Sequence, residues 1–493
     1  MVRGTLPVLL ATALLAGCAS TGHLRSDAVL LPPASLHAQQ SLHGVPQASS
    51  AWPQPQWWQA AGDAQLDSLV PEALADNPDM ALADARVAAA LAAAGAADAA
   101  RKPTLNGGAS VSGARVPPLL PPIANGHFGV IKYGYLSFKW DIDLWGGKRA
   151  AWQAAVGNAR AAEVDVAAAR LKLSGDVVQA YFDLAGAYAQ RDLAHAELQR
   201  AEDFRQLTQK RVASGIDSKF SLARIDGEVA SDQAHLDAAD NAVRTGGLIL
   251  AALLGKGPDA ALAIKQPRLP AIPALAVPND LPADLLGRRP DVVAARWRVE
   301  AASRDIKAAK AKFLPNIGIS SLVGLIAPGS LDLFALPNRF YTVAPALSLP
   351  IFEGGALRAN LAGKDAARDM AVAKYNQTLI HAINQVAAQV DDSRSLAAEV
   401  TAAESARASA AEAYKLAMQR YRAGVGNFLE ALSVRQELIA AEQQLASLRT
   451  RRSNAWAMLN EALGGGFAPA ADAPTLATQT TTPAAHSAAK AQP

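Results

Sequence analysis

Few residue types that usually carry chemistry stand at useful spacings in this sequence. The eight histidines are scattered, with no pair at the i, i+4 spacing of a helical zinc site. The sequence contains neither a G-x-x-x-x-G-K-[ST] phosphate loop nor a G-x-G-x-x-G dinucleotide turn. Asp391 and Asp392 fall within a predicted long helix, where a solvated position is expected for carboxylates. We therefore expect no enzyme activity, no metal site and no cofactor.

The single thiol, Cys18, is the exception. Residues 1–17 have the charged start and short apolar stretch of a secretory signal peptide, too short to span a bilayer. The end of this segment, Leu15-Ala16-Gly17 before Cys18, resembles a bacterial lipobox. The motif implies cleavage before Cys18, S-diacylglycerol on the thiol and an N-palmitoyl group, and Ala19 at the next position points to the outer membrane. The alternative is an ordinary secretory signal with an incidental cysteine.

Composition limits the classes of protein and partner. The 493 residues carry 47 basic and 44 acidic side chains, a net charge of +3, which argues against a nucleic-acid partner. Hydrophobic residues make up 51% and aromatic residues only 5%, so the apolar content is largely alanine. One cysteine excludes an internal disulfide framework. Thin, closely packed helices fit this composition better than one thick globular core.

Most of the chain is written twice. Asn77-Pro78-Asp79 and Arg289-Pro290-Asp291 each open an Ala-rich stretch, and their prolines are 212 residues apart. Leu254-Gly255 and Leu463-Gly464 close the two copies at a spacing of 209. The predicted organisation is a signal peptide (1–17), a lipidated N-terminal strap (18–62), a first repeat (63–255), a link (256–282), a second repeat (283–466) and a disordered tail (467–493).

Each repeat contains a helix too long for a compact domain. Gly147 to Ser214 has no proline and is rich in good helix formers, which predicts about 100 Å of helix. A second helix is predicted from about Lys219 to Leu254, and with the stretch from about Val70 to Ala100 it sums to nearly the same length. Two short helices stacked end to end are therefore expected beside one long helix. Coiled-coil spacing leaves a soluble rod open as an alternative.

Strand patterns appear between the helices. Residues 133–143 alternate over the length of a transmembrane β-strand, and weaker candidates lie at about 105–115, 316–324 and 340–351, the last interrupted by Pro345. No segment offers about 20 uninterrupted apolar residues, so a membrane crossing is expected only as strands. Four strands leave two open edges, and a barrel then needs several chains. A soluble four-stranded sheet packed on the helices is the alternative.

A set of short motifs, taken in order, resembles the TolC-like outer-membrane factors, specifically the lipoprotein, NodT-like branch of efflux channels. Besides the lipobox and the doubled unit, the motifs are Trp57-Trp58 with Gly62-Asp63, Asn77-Pro78-Asp79, Tyr181-Phe182-Asp183-Leu184, Gly215-Ile216-Asp217-Ser218, the stretch from Arg420 to Leu429, and Ala462 to Gly466. The resemblance implies an α+β fold: a long α-helical barrel that continues into a transmembrane β-barrel. The assembly would be a homotrimer with four strands per chain and twelve in total.

The resemblance also implies function and partners. It implies a passive, gated outer-membrane duct in a tripartite efflux system that exports small toxic compounds, with antibiotic resistance as the consequence. The implied partners are outer-membrane lipid, a periplasmic adaptor and an inner-membrane pump of the RND type. A type I protein-secretion duct and a lipid-anchored coiled-coil rod stay open as alternatives.

The family's site residues map onto the two helical tips. The implied gate is Leu429 with Ser433, which stands where relatives carry an acidic ring; three hydroxyls would neither repel each other nor attract cations as carboxylates do. Arg420 and Tyr421 match a pair that holds the tips together. Gly215, Gly424 and Gly426 are expected to permit positive φ at turns that dock the adaptor.

Overall fold

The computed structural model describes residues 24, 27–32, 35–37, 40–41, 43–46, 52–115, 128–273, 275–278 and 281–468. The predicted signal peptide, the lipidation site Cys18 and nearly all of the tail lie outside these residues. The helices are α1 (Ala64–Asp76), α2 (Pro78–Ala99), α3 (Gly147–Ala213), α4 (Lys219–Leu253), α5 (Leu281–Arg288), α6 (Pro290–Ala311), α7 (Ala356–Arg422) and α8 (Phe428–Ala462). The strands are β1 (Thr104–Arg115), β2 (Phe128–Ile142), β3 (Asn316–Pro328) and β4 (Arg339–Ser348).

Six of the eight α-helices that the structure describes form pairs of equal length, with one member of each pair in each repeat. Helices α2 and α6 have 22 residues each, α3 and α7 have 67, and α4 and α8 have 35. At about 1.5 Å per residue, α3 and α7 are each about 100 Å long. The stretch expected as one helix from about Val70 to Ala100 is two helices, because Asn77 leaves the helical conformation ahead of Pro78.

One residue in each repeat joins the two short helices end to end. The buried side chain of Asn77 caps α2 through the backbone N–H of Asp79 (2.8 Å), and its amide donates to the last carbonyl of α4, on Leu253 (2.8 Å). In the second repeat, Arg289 donates to the last carbonyl of α8, on Ala462 (3.0 Å). An amide and a guanidinium therefore do the same structural work, since both satisfy a carbonyl left open at a helix end.

The four strands form one antiparallel sheet in the order β1-β2-β3-β4. One face is apolar and exposed in the protomer, with Leu136, Val323 and Val343 among its members. The opposite face carries Asn106, Ser137 and other polar side chains. This alternation is typical of a strand with lipid on one side and water on the other.

The observed strands differ from the prediction at their ends. Strand β2 begins at Phe128 rather than at 133, and β3 continues to Pro328 rather than ending at 324. Both strands are therefore longer than the sequence predicted. The start of β2 was missed because Lys132 places a charge among the residues of the apolar face. In the structure, its amine reaches the carbonyl of Leu331 (3.5 Å). Strand β4 is the edge strand within the protomer, and its Pro345 lies opposite Ile319 of β3.

One described helix passes a length and composition test for a membrane span, contrary to the sequence expectation. Helix α2 has 22 residues and a mean hydropathy of 1.4 in its most apolar window, of which 17% is buried. Its apolar character comes mainly from alanine, and it packs along α3. The prediction overlooked it because charged residues such as Asp84 and Arg86 interrupt the run.

Described parts of the N-terminal strap lie along α7. Leu31 donates its backbone N–H to Asn376 (2.9 Å), and the amide of Asn376 donates to the carbonyl of Val29 (3.0 Å). Arg394, about five turns further along α7, donates to the carbonyl of His43 (2.6 Å). Near the end of the strap, Trp57 and Trp58 are buried in the core that α1 forms with α3. The strap therefore follows the outside of the second long helix.

Candidate functional site

Two helix-to-helix turns form one end of the helical body. Gly215, between α3 and α4, and Gly424, between α7 and α8, have φ values of 73° and 79°, which favour glycine. The residue after each glycine donates back to the preceding helix: Ile216 to the carbonyl of Arg211 (2.9 Å) and Val425 to that of Arg420 (3.1 Å). These bonds close the ends of the long helices.

Gly426 has a different role from the one expected. It is absent from the glycines with positive φ. A Cβ atom at this position would lie 3.0 Å from the backbone nitrogen of Tyr421 and 3.1 Å from Cβ of Arg420. The turn therefore requires glycine here because the chain folds back closely on the end of α7.

Tyr421 ties the two turns together. Its side chain is fully buried, and its hydroxyl donates to the carboxylate of Asp217 and lies 3.2 Å from the hydroxyl of Thr208. Arg211 bonds the same carboxylate through Nε (2.8 Å) and the carbonyl of Tyr421 through Nη1 (2.7 Å). We call Arg211, Asp217 and Tyr421 the tip latch, because they link the turn of the first repeat to that of the second.

The tip latch shifts the ionisation of its own members. Burial raises the pKa of the Asp217 carboxyl, but the hydrogen bonds from Arg211 and Tyr421 outweigh it and leave that pKa below its ordinary value. Burial, together with the hydrogen bond to Asp217, raises the pKa of Tyr421 to about 12. The latch therefore has a carboxylate acceptor and a neutral phenol donor at neutral pH.

Arg420 stands apart from the latch. Its side chain is 60% exposed, and its Nε lies 3.8 Å from a carboxylate oxygen of Glu430, on the first turn of α8. The two residues expected to act as a pair therefore have separate surroundings. Tyr421 is bound inside the protomer, whereas Arg420 faces outward and is accessible to another chain.

The predicted gate residues share one exposed face of α8. Leu429 is 59% exposed, and Ser433, one turn later, is also exposed. Their neighbours Phe428 and Leu432 are buried in the tip cluster with Phe204. Leu429 is therefore mostly exposed and lies outside the buried tip cluster, and its role at the gate stays a prediction.

A buried charge cluster lies between the helices further from the tip, and the sequence analysis missed it. The guanidinium of Arg435 on α8 is 0% exposed and donates to the carboxylate of Asp232 on α4. It also lies 3.5 Å from Glu197 on α3 and 3.9 Å from Glu228 on α4. The signal that could have revealed it is a charge at a seam position, since Arg435 is three residues from both Leu432 and Leu438.

The cluster extends to the fourth helix of the group. Arg200 bonds both Glu197 and Glu442 (2.7 Å to the latter), and Arg407 on α7 reaches the same Glu442 (3.2 Å). Burial raises the pKa of Glu197 more than the neighbouring arginines lower it. Charges from both repeats therefore meet in a water-poor site, where each depends on its partners.

No group of three or more histidine, cysteine, aspartate or glutamate residues suited to a metal ion occurs in the described part of the chain. The cavities described are grooves rather than enclosed sites. The tip links the two repeats through the tip latch and presents the exposed apolar side chain of Leu429. It is therefore the candidate functional site.

Comparison with known proteins decides the family. The family described as "outer membrane efflux protein" matches residues 69–256 and 281–465. The chain belongs to this family. A fusaric acid resistance protein, FusA, from Burkholderia cepacia is 37% identical over 74% of this chain and 70% of the relative. The multidrug resistance outer membrane protein MdtP from Shigella flexneri is 30% identical over 93% of this chain and 96% of the relative.

Solved structures agree with this assignment. The outer membrane protein VceC from Vibrio cholerae superposes with a TM-score of 0.79 at 34% identity, covering 84% of this chain and 100% of VceC. This chain is therefore a TolC-like channel of α+β fold, assembled as a trimer. It is the outer-membrane component of an efflux system and acts in drug resistance. The family is one of channels and is generally non-enzymatic.

The pKa directions in the latch predict a pH window for the closed tip. The Asp217 carboxylate stabilises the latch above its unfolded pKa of about 4, and this contribution is lost as the pH falls through the lowered folded value. The neutral Tyr421 phenol contributes fully below its unfolded pKa of about 10, and this is lost as the pH rises through about 12. Bilayer conductance of the purified trimer should be lowest between about pH 5 and 9 and rise outside that range.

Asp217→Asn should raise conductance already at neutral pH, because the amide is a poorer acceptor for both latch donors. Asp226→Asn is the matched control, since Asp226 also pairs with an arginine, Arg205, but is 44% exposed and outside the latch. Equal conductance changes in the two variants would contradict a specific role of Asp217.

Arg435→Met should destabilise the helical body, because it leaves buried Glu197 and Asp232 without their shared cation. Breaking such a pair costs about 3–5 kcal/mol, whereas an exposed pair contributes about 1 kcal/mol or less. Arg449→Met is the control, since Arg449 and its partner Glu404 are half exposed. Thermal unfolding followed by circular dichroism should show a lower midpoint for Arg435→Met only; equal midpoints in the two variants would count against the cluster.

Proposed function

We propose that the trimer is a passive exit duct whose periplasmic end is closed by Leu429 and held closed by the tip latch. The observation that carries the proposal is the exposed face of α8 formed by Leu429 and Ser433. The residue before Leu429, Phe428, packs against Tyr421 of the latch. Threefold assembly brings three copies of this face to one axis. Three leucines there form an apolar constriction that disfavours water and ions.

The proposed gate of this efflux protein lacks the ring of carboxylates that the family resemblance places at this position. Ser433 contributes a hydroxyl where three carboxylates would crowd the axis, attract cations and raise one another's pKa. The duct is therefore closed by an apolar ring alone, and cation selectivity at the tip is weak. Exposed Arg420 is suited to a polar link with a neighbouring helix of another protomer.

We propose that the two turns dock a periplasmic adaptor, which connects the duct to an inner-membrane pump of the RND type. Each turn exposes an apolar side chain after its glycine: Ile216 is 62% and Val425 is 72% exposed, and Phe220 nearby is 65% exposed. Apolar side chains at that exposure, on the tips of two helical hairpins, suit contact with another helical tip. The pump supplies the energy for export, which the duct itself does not.

The cargo proposed for the duct is a set of small toxic compounds. Relatives at 37% and 30% identity carry names of fusaric acid resistance and multidrug resistance. These names favour small molecules over secreted proteins as cargo.

We propose further that Cys18 carries the S-diacylglycerol and N-palmitoyl groups that its lipobox implies, which anchors the start of the strap in the outer membrane. Cys18→Ala should abolish incorporation of labelled palmitate. The variant should still form heat-resistant trimers in outer-membrane fractions, because the strands hold the trimer in the membrane. Release of Cys18→Ala as a soluble protein would instead favour the lipid-anchored rod.

Leu429→Ala should raise single-channel conductance and antibiotic influx, because three smaller side chains widen and wet the closed tip. Leu416→Ala is the control, since Leu416 is similarly exposed on α7 but lies apart from the turn. Unchanged conductance and influx in Leu429→Ala would remove this residue from the gate.

A further inference from the structure

The polar face of the sheet also carries a group of aromatic side chains, and the proposed gate does not explain them. One row of paired residues across the four strands runs Gly108, Tyr135, Gly324 and Phe340, so that glycine and aromatic residues alternate. Tyr133 lies one row further along the same face. In a barrel whose apolar face meets lipid, this face lines the lumen. Threefold assembly places nine such rings on the wall.

The rings form one cluster in each protomer. The ring centroids of Tyr133 and Tyr135 are 5.1 Å apart, and those of Tyr133 and Phe340 are 5.7 Å apart with an angle of 9° between planes. Both distances lie in the range of favourable aromatic pairs. The cluster is therefore an ordered surface and not three independent side chains.

The glycines let the rings lie over the sheet. A Cβ atom at Gly108 would come within 2.8 Å of the Tyr135 ring, and one at Gly324 within 2.7 Å of the Phe340 ring. The rings of Tyr135 and Phe340 therefore lie close to the glycine backbone of the neighbouring strand, and both side chains are half-buried. The row presents aromatic surface to a passing solute.

A cation lies on the same face toward the helical end. Lys139 follows Tyr135 by four residues, about 13 Å along the strand. Asp141, the next residue on this face, is paired with Lys148 (3.3 Å). Lys139 has no ion pair among the described residues, and its side chain is exposed. Asp143, two residues further on, accepts from the backbone N–H groups of Lys148 and Arg149. Lys139 is therefore the cation nearest the rings on this face that has no ion pair in the described part of the chain.

We propose that the lumen wall of each protomer holds a binding site for planar aromatic carboxylates. Tyr133, Tyr135 and Phe340 stack against the solute ring, and Lys139 attracts its carboxylate. The site is weak and exchanges fast, as a duct requires, since a solute that binds tightly does not leave. The inference rests on the proposed duct function and adds a class of solute to it. The competing explanation is that the rings only cover glycine backbone.

The probe is 2-naphthoate, with neutral 2-naphthol as its uncharged analogue. Saturation-transfer NMR with full-length trimer in nanodiscs of zwitterionic lipid should show naphthoate binding after subtraction of empty nanodiscs. The variant Tyr133→Ser/Tyr135→Ser should weaken binding of both probes about tenfold, since two stacking contacts are lost. Lys139→Gln should weaken naphthoate binding about threefold and leave naphthol unchanged.

Tyr341→Ser is the matched control, because Tyr341 follows Phe340 on β4 but lies on the apolar face, 83% exposed. It should bind both probes as the unmodified trimer does. If the double variant fails to form heat-resistant trimers, Phe340→Leu keeps the test, since it removes one ring and retains volume. Equal naphthoate affinity in the unmodified trimer, the ring variant and Tyr341→Ser would overturn the site.

Conductance separates this inference from the proposed function. Trimers that conduct but give no naphthoate saturation would overturn the aromatic site and leave the duct intact. Trimers that bind naphthoate at the rings but never conduct, even with Asp217→Asn, would overturn the duct instead.

Discussion

The unpaired edges of the four-stranded sheet constrain everything else in this efflux protein. Strands β1 and β4 each have one neighbour within the protomer, so each leaves a row of backbone groups open. In hydrocarbon each such group costs several kcal/mol, and water is absent to satisfy it. Strands of other chains must therefore close the wall. Association of several chains follows from this requirement. The family comparison gives the number as three, and with it the threefold repetition of the tips and of the lumen face.

The same threefold symmetry underlies the gate proposed for the tip. In one protomer, the exposed face of α8 at Leu429 has no partner, while the tip latch fixes where that face points. The buried Arg435 cluster fixes the helices a few turns further along, with charges from both repeats. In the proposed gate, a tip that opens must break the latch, whereas the cluster holds the helices in register. The proposal thus confines opening to the end of the duct.

Much of the architecture could be predicted from the sequence because helices and strands depend on patterns of neighbouring residues. Proline-free stretches rich in helix formers predicted α3 to within a residue at each end. Alternation predicted β2, and the weaker candidates at the three other positions correspond to β1, β3 and β4. Lys132 misled the prediction at the start of β2, because a lysine on an apolar face breaks the pattern although its amine reaches polar atoms at the sheet end. Local patterns could not reveal why Gly426 is required, since its close neighbours depend on how the turn folds back.

The site was less predictable because its partners are far apart in the chain. Tyr421 and Asp217 are 204 positions apart, and Arg435 and Asp232 are 203 apart, so no local pattern joins them. The family resemblance identified Tyr421 but not the residues that it contacts. It grouped Tyr421 with Arg420, which lies outside the tip latch.

The central claim is that three chains close one wall, edge to edge. Disulfide cross-linking tests it most directly, with Asn106→Cys on β1 combined in turn with Thr342→Cys, Ala344→Cys or Ala346→Cys on β4, all on the lumen-facing side. The account predicts that at least one combination gives covalent dimers and trimers, and nothing larger, in outer-membrane fractions. A chain that gives no intermolecular cross-link in any combination, and that purifies as a stable monomer, would contradict it.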